Sequence, residues 1–182
     1  MNINFDKLFK DSKYKSNALP LKTQKIAIII CGIPASGKST LRNKIINDTK
    51  LNNYIIIDPD LFLSYFNNNY EITAQTTKKI IEPFVFKSNH NIIFDKVCSY
   101  IKDIDKLINT LKQEKYFIQF HMLFTDLNLA IQRNINRKRT INLDIISNKY
   151  NEIMANKFKY LELKPNELYI YYNNILNFII YN

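Results

Sequence analysis

Six consecutive apolar residues, Ile26-Ala27-Ile28-Ile29-Ile30-Cys31, stand out first along the chain. A run without alternation fits a strand covered on both faces, as in a parallel sheet. Shorter apolar runs follow at Tyr54–Ile57, Asn91–Phe94, Tyr116–Phe124 and Leu168–Tyr172. Between them lie segments of helical length: Lys38–Asp48, Ile72–Lys87, Ile101–Gln113, Asp126–Arg137 and Leu143–Leu161. Strands alternating with helices predict an α/β fold with a mainly parallel sheet, in which ligands collect at the carboxyl ends of the strands. Asn67-Asn68-Asn69 reads as a loop. Residues 1–25, with six Lys against two Asp, read as an N-terminal extension, and 26–182 as one domain.

Composition adds limits. The 182 residues are 46% hydrophobic and 23% charged, the balance of a globular domain. No apolar run approaches the roughly 20 residues of a membrane span, so no membrane partner is expected. The start, Met1-Asn2-Ile3-Asn4-Phe5-Asp6, lacks the basic and apolar regions of a secretory leader. Cys31 and Cys98 are too few for a zinc site and suggest no disulfide framework, so a reducing, intracellular setting is the expectation. The net charge of +10 points to a polyanion such as nucleic acid, or to a solvated surface. Lys, Asn and Ile supply 77 residues, the signature of A/T-rich codons, which favours the surface reading. Against that background the two Gly and four Arg are informative by position.

Both glycines fall in Gly32-Ile33-Pro34-Ala35-Ser36-Gly37-Lys38-Ser39-Thr40, directly after the first strand. This is the P-loop pattern in its strand–loop–helix context. Glycines let the backbone approach phosphate oxygens, and the loop's N–H groups with the following helix N-terminus form an anion cradle. Residues 32–40 are therefore expected to bind ATP, with Lys38 on the β- and γ-phosphates and the Ser39 hydroxyl on Mg²⁺. Switch and guanine-reading motifs of GTPases are absent from the sequence.

The second strand runs into Asp58-Pro59-Asp60, 20 and 22 residues after Lys38. In extended backbone the two carboxylates share a side. Asp58 is assigned to Mg²⁺, and Asp60 to the proton of an attacking hydroxyl. Asp-Pro-Asp is also a good turn and helix cap. Asp95, ending the third strand, is a further candidate for the metal or the substrate, or else a turn cap. His90 and His121 have no partner spacing, and His121 reads as a core histidine.

Three of the four arginines, Arg133, Arg137 and Arg139, cluster after the fourth strand. A guanidinium offers a planar fork for phosphate oxygens that Lys cannot imitate. Arg133 and Arg137, four apart, are expected on one helix face closing over a triphosphate, with Thr125 capping that helix and Asp126 complementing its dipole. A solvated basic helix end is the plainer alternative.

With these motifs the chain, from Ile26 to Asn174, resembles the small P-loop kinases of the zeta-toxin family and the kinase domain of polynucleotide 5′-kinases. The resemblance implies a five-stranded parallel sheet in three α/β/α layers and ATP–Mg²⁺ as donor. It gives Asp60 the role of general base and Lys38 that of the P-loop lysine. Arg133 and Arg137 match lid arginines, and Arg139 is counted with the nucleotide-binding residues. Two departures concern the acceptor. Leu63 stands where these families place an acceptor-contacting Arg three residues after the base, and Asp95-Lys96-Val97-Cys98 lacks their Thr-containing motif. The leading expectation is a kinase acting on a hydroxyl of a nucleotide-sugar or related small metabolite. A polynucleotide 5′-hydroxyl kinase and a non-catalytic nucleotide-binding module are the alternatives, and a protein partner is left unspecified.

Overall fold

Strand β1 (Lys25–Gly32) lies inside the sheet, paired in parallel with β3 (Asn91–Lys96) on one side and β4 (Tyr116–Phe124) on the other. Beyond them β2 (Tyr54–Ile57) joins β3 and β5 (Glu167–Tyr172) joins β4, again in parallel. The computed structural model describes residues 24–137, 139–173 and 175–181, so most of the predicted N-terminal extension lies outside the described residues. The sheet has six strands rather than five, because β6 (Ile175–Tyr181) returns antiparallel along β5, giving the order β2-β3-β1-β4-β5-β6. Tyr172 pairs with Ile175, and Asn173, which follows β5, has φ 50°. Asn tolerates that left-handed conformation, which tight hairpins require.

Both sheet faces are covered, which explains the unalternating apolar run of β1. On one face Ile28, Ile30, Ile56 and Ile93 lie under Leu41, Ile45 and Ile46 of α1 (Lys38–Thr49). On the other, Ala27, Ile29, Phe94 and Phe120 meet α5 (Ile101–Gln113), whose buried Ile104, Leu107, Ile108 and Leu111 recur at helical spacing. The same core takes in Ala130 of α6 (Leu127–Ile135) and Ile146 and Ile153 of α7 (Leu143–Ala155). The result is a three-layer α/β/α fold with seven α-helices among the described residues, none long and apolar enough to cross a membrane.

Several predicted helices are broken differently. The expected helix at 72–87 is a chain of α3 (Tyr70–Thr76), a π-turn (Thr77–Ile81) and α4 (Glu82–Phe86). Pro83 has no N–H to give, and Thr77 Oγ1 donates to Thr73 O at 2.7 Å, so the i→i+4 ladder loosens here. The segment to Leu161 likewise splits into α7 and a 3₁₀ stretch, Lys157–Glu162, after Asn156 Nδ2 donates to Glu152 O.

The cysteines also differ from expectation: Cys31 and Cys98 form a disulfide, with Cα atoms 5.4 Å apart. Cys31 lies opposite Lys96 in the β1–β3 register, so strand pairing brings together residues 67 apart in sequence.

Asn91 anchors the start of this arrangement. Its Oδ1 accepts from Ile26 N and its Nδ2 donates to Asn52 O, both at 2.9 Å, and it is nearly fully buried. Asn91→Ala leaves both backbone groups without a partner, and we expect a loss of about 2 kcal/mol, measured as a shift in the urea unfolding midpoint at unchanged slope.

Candidate active site

At the carboxyl edge of β1 the chain turns through the phosphate-binding loop. Gly32 has no room for a side chain: a Cβ there would stand 2.7 Å from Ser36 Oγ and 3.0 Å from Leu123 O. Gly37 takes φ 98° and delivers the chain into α1, a conformation open to glycine and costly for most other residues. Ser36 N donates to Ile33 O at 3.2 Å and Leu41 N to Gly37 O at 3.0 Å, closing the loop onto the helix. Thr125 Oγ1 donates to Ser36 O from the end of β4, so it braces the loop instead of capping α6. Asp126 is the cap, accepting from Asn128 N and Leu129 N.

Lys38 Nζ donates to Gly32 O at 3.0 Å and Ile33 O at 2.9 Å and stands 4.0 Å from Asp95 Oδ1. Burial holds its pKa below the ordinary lysine value, while Asp95 pulls the other way. Ser39 Oγ donates to Asp95 Oδ2 at 3.2 Å, so the hydroxyl after the P-loop lysine and the acid ending β3 lie side by side.

Asp58 and Asp60 do not share an extended strand. Asp58 caps α2 (Pro59–Phe62), accepting from Asp60 N at 3.0 Å, and Asp60 sits in the first helical turn. The cap thus turns Asp60 outward: its side chain is 44% exposed against 15% for Asp58. Both line one cavity of about 980 Å³ with residues 34–40, Asp95, Arg133, Arg137 and Arg139. Asp58 is raised to about 6, first by burial and then by the neighbouring Asp95 and Asp60 charges, against the opposing pull of Arg42.

The three clustered arginines occupy different places. Arg133, in the last turn of α6, donates from Nη1 to Ser36 O at 3.1 Å. Arg137 lies past the helix end and does not share its face, because Asn134 hydrogen bonds both ways with Ile141 and turns the chain. Arg139 reaches across the cavity to Asp60, with Nη1 3.1 Å from Oδ1. His121 is remote from all of these. It stacks on Tyr169 at 4.3 Å, meets Tyr171 OH at 3.0 Å, and is lowered by burial to about 3, so it stays neutral in the core.

Two features escape sequence reasoning. Arg42, on α1, places Nη1 3.3 Å from both Asp58 Oδ2 and Asp95 Oδ2. As an arginine outside the 133–139 cluster in a lysine-rich chain, its residue type was the available signal. Glu82 of α4, nearly buried, pairs with Lys96 at the end of β3, both on the cavity wall. Burial raises Glu82 and the Lys96 ammonium opposes that. An acid inside Ile80-Ile81-Glu82-Pro83-Phe84 was the hint.

The three-layer fold with its phosphate loop at the end of β1 is that of the small P-loop kinases. The zeta toxin family model matches residues 10–161, and the chain belongs to that family. No curated protein matches it. Among solved structures, one from the PezAT chromosomal toxin–antitoxin system of Streptococcus pneumoniae is similar at TM-score 0.69 and 21% identity, over 90% of this chain and 74% of that one. The AvrRxo1-ORF1:-ORF2 structure with ATP is similar at 0.67 and 13% identity, over 83% and 55%. A chain of the Pnkp1/Rnl/Hen1 RNA repair complex is similar at 0.63 and 20% identity, over 76% and 47%. This chain thus spans about half the length of the last two.

The raised Asp58 sets a stability prediction. Its native pKa of about 6 lies above the ordinary 3.8, so ionising it costs native stability, a cost that sets in as pH rises past the ordinary value and is fully developed above the native one. Relative to Asp58→Asn, which keeps the cap, wild-type stability should fall by up to about 3 kcal/mol between pH 4 and pH 7. Urea unfolding of both proteins across that range checks the sign; a constant difference would contradict it.

Proposed function

We propose that this protein is an ATP-dependent phosphotransferase that moves the γ-phosphate to a hydroxyl of a nucleotide-sugar or related small metabolite. One observation carries the reading: the phosphate loop, the exposed carboxylate of Asp60 and all three lid arginines line a single cavity. A module that only binds nucleotide has no use for a carboxylate at the acceptor side. In this reading the loop N–H groups and Lys38 hold the β- and γ-phosphates, and Arg133, Arg137 and Arg139 gather charge on the transferred group. Asp60 Oδ1 or Oδ2 takes the proton of the acceptor hydroxyl as oxygen attacks phosphorus and ADP leaves. Ser39, Asp58 and Asp95 offer the hard oxygen donors that suit Mg²⁺, and the 3.2 Å Ser39–Asp95 contact supports their working together. Bound there, Mg²⁺ would neutralise phosphate charge.

The acceptor half of the cavity is the part with its own character. Tyr70, Thr77, Lys78 and the Glu82–Lys96 pair line it, and Leu63 supplies no cation beside the base. Labelled ATP offered with UDP-N-acetylglucosamine, with a 5′-hydroxyl oligonucleotide, and with no acceptor separates the leading reading from the polynucleotide-kinase alternative. Label retained by the oligonucleotide alone would favour the latter; no transfer to any acceptor would sink both.

Two variants test the assigned roles. Lys38→Ala should abolish transfer and weaken ATP more than adenosine in a binding titration, because only the triphosphate loses a charge partner. Asp60→Asn should lower kcat by about 10²–10⁴-fold at little-changed ATP affinity, the range of a missing general base.

A further inference from the structure

Arg42 stands three residues after Ser39 on α1, so the two side chains share a helix face. Ile57 and Phe94 are paired in the β2–β3 register, so the next residues on the two strands, Asp58 and Asp95, emerge side by side. Two carboxylates so placed, Asp95 buried and Asp58 largely so, repel one another. One nitrogen of Arg42 answers both: Nη1 is 3.3 Å from Asp58 Oδ2 and 3.3 Å from Asp95 Oδ2, and the side chain is only 11% exposed. With Lys38 at 4.0 Å from Asp95 Oδ1, two cations face two anions and the cluster carries no surplus negative charge.

The form of the bridge is informative. A guanidinium bound for good to carboxylates presents two parallel N–H groups. Here both contacts fall on Nη1, and Nε is buried with no partner among the described residues. That arrangement holds the acids together while leaving a costly orphan donor, which suits a contact able to give way. The Asp95 oxygen it uses is also the one Ser39 Oγ reaches at 3.2 Å. One oxygen of each carboxylate is therefore already paired with an internal cation.

We infer that Arg42 is a positioning residue that acts as the resident cation of the Asp58–Asp95 pair, so that the protein alone takes up no divalent ion and the metal enters with the donor phosphates. This deepens the proposed function and rests on it for the donor. Its own content concerns metal binding to the free protein, which is measurable without turnover. The alternative, an open acidic site loaded with metal before nucleotide, requires the surplus negative charge that Arg42 removes.

The test uses Mn²⁺ as the probe, followed by electron paramagnetic resonance on the nucleotide-free full chain. Wild type should show no site tighter than on the order of 1 mM. Arg42→Gln should bind Mn²⁺ at least about tenfold more tightly, because a unit positive charge beside the ion is gone. In metal-free buffer the same variant should melt at lower temperature than wild type, and Mn²⁺ or Mg²⁺ should restore much of the loss while leaving wild type unmoved. Arg42→Lys, which keeps the charge, should remain as indifferent to metal as wild type. A purely structural arginine would give a melting loss that metal does not repair, and that result overturns the inference. So does a tight Mn²⁺ site in wild type, a measurement that stands even where Arg42→Gln fails to fold. Failure of the kinase reading registers elsewhere, as absence of phosphoryl transfer in the acceptor panel, and leaves these titrations unaffected.

Discussion

Hydrogen bonding of β1 to a parallel neighbour on each side fixes the height at which three strands end. Gly32 falls opposite Leu123, Cys31 opposite Lys96 and Ile30 opposite Asp95. The loop leaving β1 therefore meets the Leu123 carbonyl at a distance only glycine permits. Asp95 arrives beside Ser39, and Thr125 beneath Ser36, by the same register. A one-residue slip in either pairing would point these side chains to the opposite face and dismantle the cradle, so the apolar faces that set the register also set the site.

Charge is balanced locally rather than by solvent. Asp58 and Asp95 are tied to Arg42, Lys38 lies against loop carbonyls and Asp95, and Glu82 faces Lys96. Buried charges persist only when paired in this way. The Asp60–Arg139 pair is the contrast: both partners are substantially exposed, and exposed pairs contribute little to stability. The Asp58–Asp95 cluster is thus balanced by charges within the protein, while the carboxylate proposed to take the proton sits where its partner can leave at small cost.

Much of this was readable in advance, for identifiable reasons. The strands were legible because parallel pairing demands continuous apolar runs, and the phosphate loop because both glycines stand at its required positions. Asp95 was legible as an acid ending such a run. The geometry of Asp58 and Asp60 was not, since Asp-Pro-Asp serves equally as strand end and helix cap, and the cap prevailed. Arg137 escaped because Asn134, a buried polar residue in a helical pattern, ends the helix through a contact seven residues away. The disulfide, the Arg42 bridge and the Glu82–Lys96 pair depend on contacts between separate elements, which no local pattern encodes. β6 lay beyond the last recognised strand, although the Asn173-Asn174 pair before it carries a hairpin signal.

The irregular run from α2 to α4 keeps two sets of residues apart. Phe62, Phe66, Ile81, Val85 and Phe86 sink into the core, whereas Tyr70, Ala74, Thr77 and Lys78 line the cavity and belong to no core cluster. The donor side is built from strand ends, where any shift disturbs the sheet. The facing wall is anchored in the core through Phe62, Phe66, Ile81, Val85 and Phe86, away from the residues that line the cavity. Under the proposed function, a change of acceptor would alter this wall at less expense to folding than any change at the strand ends, so one scaffold could pass from one acceptor to another while its donor side stayed fixed.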